Sequence, residues 1–139
     1  MTWLVDTNTL SELRKGNRAD AGVREWFDGI AEEDVFTSVL VLGDLRRGIE
    51  SLRRRDRPAA LAIEQWLERL QDSFGDRIVP VTVEIADRWG ILSVPDPLPT
   101  VDGLLAATAI VHDMVLVTRN TRDVARTGVR FLDPVSSGR

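Results

Sequence analysis

Cysteine is absent from the chain, and histidine occurs once, at His112. Without thiols there are no disulfides and no thiolate metal sites. A lone histidine leaves no basis for a zinc centre built from His or Cys. Only oxygen remains to hold a metal, and carboxylate oxygen suits Mg²⁺ or Mn²⁺. There is no apolar run of 18 residues and no secretory signal pattern at the start of the chain. The expectation is a soluble cytoplasmic protein with no membrane partner. Internal repeats and low-complexity segments are also missing.

What is present is enough for one core. The chain has 139 residues, 43% of them apolar, which is the length of one domain. We expect that domain over residues 1–133 and a flexible tail over 134–139. Net charge is −4, so the molecule as a whole does not advertise nucleic-acid binding. Yet Arg46, Arg47, Arg53, Arg54, Arg55 and Arg57 crowd together. A local basic patch on an acidic protein can hold a phosphate backbone. The plainer reading is a solvated helix end with cations near the C-terminal dipole.

The apolar run Trp3-Leu4-Val5 reads as a short buried strand ending at Asp6. Thr7 or Asn8 is expected to cap a helix to about residue 14. Further helices are expected over about 19–30, 38–52, 58–73, 82–92 and 101–112, with a short one opened by Asn120. Strands are expected over 35–37, 78–81, 115–118 and 129–132. Pro80 places its strand at an edge or a strand end, and Gly48 inside a helix suggests close packing. Thr100 is expected to cap its helix. The alternation predicts an α/β fold with a parallel sheet of four to five strands and helices on both faces.

In such a sheet, ligands bind outside the carboxyl ends of the strands. Asp6 sits there, and so do Thr118 and Asn120 after the strand at 115. Asp44 lies mid-helix, about 60° from Val41 on the flank of the apolar stripe. A carboxylate at that border is costly unless paired or metal-bound. Asp102 stands in the first turn of its helix. Each has a structural alternative: Asp6 a helix cap, Asp44 an ion pair with Arg46 or Arg47, Asp102 a first-turn acid. Asn120 and Asp123 have the spacing of a capping box. Taken together, they place several carboxylates at one point, where they repel or bind a cation. His112 reads as a helix C-terminus. The tryptophans Trp3, Trp26, Trp66 and Trp89 read as core or dimer contacts.

Four stretches in this order resemble the PIN-domain ribonucleases. They are Leu4-Val5-Asp6-Thr7-Asn8 with Ser11-Glu12, Gly43-Asp44-Leu45-Arg46-Arg47-Gly48-Ile49 after Ser38-Val39, Asp102 to Ala109, and Leu116-Val117-Thr118-Arg119-Asn120 with Asp123. The likeness is to VapC-type toxins of toxin–antitoxin pairs, the FitB-like branch in particular, and spans roughly residues 3 to 132. It implies a three-layer α/β/α fold and Mg²⁺- or Mn²⁺-dependent cleavage of RNA, often tRNA or rRNA. It implies a homodimer and a VapB-type antitoxin whose own half contacts DNA. By position, Asp6 and Asp102 match the principal metal ligands. Asp44 stands where the family normally has Glu. Asn120 or Asp123 matches the fourth acidic position, and Thr118 a nearby hydroxyl. Arg46, Arg47, Arg53 and Arg54 are then candidates to hold RNA or receive the antitoxin. The shorter Asp44 also admits a PIN fold with an impaired site that binds RNA or protein without turnover.

Overall fold

Strands buried on both faces need unbroken apolar runs, and the central strands have them. A computed structural model of the chain describes residues 1–135. In it Trp3–Val5 forms β1 and Val115–Val117 forms β4. They pair in parallel, Leu4 beside Leu116 and Val5 beside Val117. All four of these side chains are at most 1% exposed. Burying one such side chain contributes about 1.5–3 kcal/mol. Val35–Ser38 (β2), Ile78–Val79 (β3) and Phe131–Leu132 (β5) complete one sheet in the order β3-β2-β1-β4-β5, every neighbour parallel.

Among the described residues seven α-helices connect the strands. They are α1 (Thr7–Leu13), α2 (Ala21–Asp28), α3 (Val39–Arg53), α4 (Arg57–Phe74), α5 (Val83–Leu92), α6 (Thr100–Val111) and α7 (Thr121–Ala125). Chain order runs outward from β1 through β2 to β3, then crosses to β4 and runs outward to β5. Parallel crossovers are right-handed, so this reversal sends α1–α4 to one face and α5–α7 to the other. The contacts agree: α3 packs on α4 and on α1, while α6 packs on α5 and on α7. The switch in direction falls between β1 and β4. Among the described residues no helix is long and apolar enough to cross a membrane.

Several local expectations change. Asp6, not Thr7 or Asn8, caps α1 by accepting the Thr9 N–H at 2.9 Å. Thr100 is already helical, and Pro99 stands at the cap position with no side-chain bond. The last strand is only Phe131–Leu132 rather than 129–132. β3 is an edge strand and ends just before Pro80. Of the tail expected from residue 134, Pro134 is buried, and residues 136–139 lie outside the described residues. Trp3, Trp26 and Trp66 pack against the core, and Trp3 meets Trp26 edge-to-face with ring centroids 5.7 Å apart.

The close packing expected at Gly48 is absent, since a Cβ there meets nothing within 4 Å. Gly103 is the tight one: its Cβ would stand 3.0 Å from the Trp89 ring. The two glycines therefore predict opposite shifts. Gly48→Ala should stabilise the fold by about 1 kcal/mol through helix propensity. Gly103→Ala should destabilise it by roughly 1–3 kcal/mol through overpacking. Urea midpoints read both, and shifts of the same sign would contradict these packing assignments.

Candidate active site at the β1–β4 edge

The β1–β4 pairing carries Asp6 and Thr118 off adjacent strand ends. The Asp6 N–H continues the ladder by donating to the Val117 carbonyl at 3.2 Å. Helices from both faces bring the remaining acids: Asp44 from α3, Asp102 from α6 and Asp123 from α7. A cleft of about 500 Å³ opens here, lined by Asp6, Asn8, Asp44, Arg47, Gly48 and Asp102 among others.

Asp6 is 7% exposed, and one of its carboxylate oxygens is spent on the α1 cap. The other has no hydrogen-bond partner among the described residues. Asp44 is held twice. The Thr7 hydroxyl donates to one oxygen at 3.1 Å and the Arg47 guanidinium to the other at 3.0 Å. The ion pair read from the sequence is thus present, and it sits inside the cleft.

Asn120 does not cap α7. Its side-chain amide donates one hydrogen to Asp102 at 2.6 Å and the other to Asp123 at 3.1 Å. A neutral group with two donors is what two neighbouring carboxylates can share without adding charge. Thr118 is buried, and its hydroxyl oxygen accepts the Asn120 N–H at 3.0 Å. It thereby fixes the turn that carries the amide.

Burial pushes the Asp102 carboxyl above the ordinary aspartate value. The Asn120 hydrogen bond opposes this, and the charges of Asp6, Asp123 and Asp44 add to it. Asp102 therefore lies in the field of three other carboxylates. Among the described residues, no three side chains of the His, Cys, Asp or Glu type converge closely enough to enclose one ion. The donor set is all oxygen and carries uncompensated negative charge. It fits a hard divalent cation held by one or two carboxylates, with water between the ion and the others. His112 ends α6, at the far end from Asp102 and about 15 Å along the axis.

The basic run between Arg46 and Arg57 is more engaged than its sequence suggests. Arg46 and Arg53 both bond Glu50 on α3 and Glu64 on α4. Arg47 serves Asp44, while Arg54, Arg55 and Arg57 are exposed. Sequence reading passed over Thr7 as an Asp44 partner, and over Arg119, which lines an adjoining cleft. Arg119 lies between two residues that were singled out, so the signal for it was available.

The PIN domain family model matches residues 3–129. The chain is 25% identical to a VapC ribonuclease of Sinorhizobium fredii, over 94% of this chain and 96% of the relative. It is 28% identical to Toxin FitB of Neisseria gonorrhoeae over the same shares. Its fold superposes on the crystal structure of FitAcB from Neisseria gonorrhoeae with a TM-score of 0.86 at 26% identity, covering 96% of this chain and 98% of that one.

The raised Asp102 carboxyl fixes a sign. The fold prefers the protonated form, so metal-free stability falls as pH rises from the ordinary aspartate value of 3.8 through the higher folded value. Asp102→Asn should raise the melting temperature in EDTA at neutral pH. That gain should disappear once the pH drops below the ordinary aspartate value. An unchanged or lower melting temperature at neutral pH would contradict the burial and repulsion described.

Proposed function

The chain belongs to the PIN-domain family, and from that premise we propose that it is a metal-dependent endoribonuclease toxin, hydrolysing phosphodiester bonds in RNA and restrained by a cognate antitoxin. The observation that carries this reading is the gathering of Asp6, Asp44, Asp102 and Asp123 at one strand edge, with Asp102 perturbed by burial first and by the other three charges after it. Relatives named as a VapC ribonuclease and as Toxin FitB support the activity and the toxin role.

Asp6 and Asp102 would hold Mg²⁺ or Mn²⁺ directly, with Asp44 and Asp123 acting on its waters. When bound, such an ion activates a water and stabilises charge on the phosphate oxygens. The chain's own residues do the positioning. Asn120 aligns Asp102 with Asp123, Thr118 fixes Asn120, and Arg47 holds Asp44 in place. Because water attacks rather than the ribose 2′-hydroxyl, the products carry 5′-phosphate and 3′-hydroxyl. For the antitoxin, an apolar groove between α1, α2 and α4 offers a seat for a helix, lined by Leu10, Leu13, Phe27, Trp66, Leu70 and Phe74.

One observation favours a second reading. Asp44 stands where the family normally has Glu, and both its oxygens are already held by Thr7 and Arg47. A carboxylate withdrawn by ~1 Å can cost on the order of a hundredfold in rate. On this reading the chain binds RNA or protein with little turnover.

Purified chain, free of partner, is incubated with a tRNA pool and Mg²⁺ or Mn²⁺, with and without chelator. Discrete fragments with 5′-phosphate ends are expected. They should vanish with EDTA and fall at least a hundredfold with Asp6→Asn, a variant whose side-chain oxygen can still cap α1. Products ending in 2′,3′-cyclic phosphate would overturn the mechanism. If nothing is cut, Asp44→Glu should restore cleavage, which would establish the impaired-site reading.

A further inference from the structure

The carboxylate cleft can seat one phosphate, but an RNA strand brings more on either side. Arg46 and Arg53, in the conspicuous basic run, are already committed to Glu50 and Glu64. A different set of cations lies next to the acidic site. A second cleft of about 640 Å³ shares Asn8 with the first. Its cationic lining comes from Arg14, Lys15, Arg18 and Arg119.

Not all of these are available. Lys15 pairs with Glu12 at 3.0 Å, and the Arg14 guanidinium lies over the Trp66 ring, 6.0 Å from its centroid. Arg18 and Arg119 are exposed, and neither has a hydrogen-bond or ion-pair partner among the described residues. The acids of the cleft are used internally. Glu12 accepts the Asp20 N–H at 2.8 Å as well as Lys15, and Asp20 caps α2 through the Val23 N–H at 3.2 Å.

Arg119 is tied to the acidic site by the backbone. It separates Thr118 from Asn120, the residue whose amide holds Asp102 and Asp123. Arg18 belongs to the turn that follows α1, the helix whose cap is Asp6. Both cations therefore sit on segments that begin at the β1–β4 edge. A positively charged groove that tracks a backbone is how single strands are held without reading sequence.

We propose that this second cleft, with Arg18 and Arg119, is the subsite for phosphates flanking the scissile one in a single-stranded RNA. The inference rests on the ribonuclease reading above and adds the direction the strand takes away from the carboxylates.

The test is binding of a labelled single-stranded RNA oligonucleotide to the full chain in EDTA across a salt series. Arg18→Ala with Arg119→Ala should weaken binding about tenfold at low salt. It should also flatten the log–log salt slope by about 1.4, or ~0.7 for each lost phosphate contact. The double Arg→Lys variant should keep most of the affinity. Arg54→Ala with Arg55→Ala removes the same charge from the α3–α4 turn and should change binding less than half as much. Equal losses in the two double variants would overturn the proposal, since only net charge would then be felt. So would a wild-type chain with no RNA binding. A decaglutamate peptide that loses affinity in the Arg18/Arg119 variant while RNA binding stays put would give the cleft to an acidic protein segment instead. Failure of the two readings separates cleanly. RNA binding without cleavage defeats the nuclease alone, and cleavage with binding unmoved by the variant defeats the subsite alone.

Discussion

The parallel ladder between β1 and β4 is the constraint from which the site follows. It sets two three-residue apolar strands side by side and makes their carboxyl ends a single edge. A one-residue register slip would turn every side chain to the other face and carry Asp6 off the shared edge. The sheet reverses direction at this pair, and helices from opposite faces flank the gap. Asp44 and Asp102 therefore approach the same point from opposite sides, although neither belongs to a strand.

Gathering like charges at that point opposes folding, and the neighbours that offset it are neutral or cationic. The Asn120 amide bridges Asp102 and Asp123, Arg47 pairs with Asp44, and the Thr9 N–H donates to Asp6. These contacts leave Asp102 still perturbed, by its burial first and by the charges of Asp6, Asp123 and Asp44 after that. Asp6 is the most economical member, because one carboxylate caps a helix and lines the cleft at once.

Much of this was legible in the chain. Buried parallel strands write themselves as apolar runs, and a polar residue after each run marks the sheet edge, so Asp6 and Thr118-Asn120 could be placed before any coordinates. Asp102 was legible as a first-turn residue, although the cap was misassigned by one position. What could not be read were contacts that depend on the third dimension alone. Glu64 takes up Arg46 and Arg53 from another helix. Thr7 reaches Asp44 across 37 positions of sequence. Asn120 at capping-box spacing looks like a local device, yet its amide turns away to Asp102 on a different helix. Gly48 failed for the opposite reason: a glycine in a helix suggests a neighbour, and here it leaves room.

The arginines locked against Glu50 and Glu64 bear on how this molecule meets a polyanion. With a net charge of −4 and two of its clustered cations neutralised in place, the surface exerts little long-range pull on RNA. Encounter with a polyanion would then be ordinary diffusion, only weakly dependent on ionic strength. On the proposed ribonuclease reading, selection among RNAs would fall to residence time: strands that find both the carboxylate edge and a local cationic foothold would linger, and the rest would depart before chemistry.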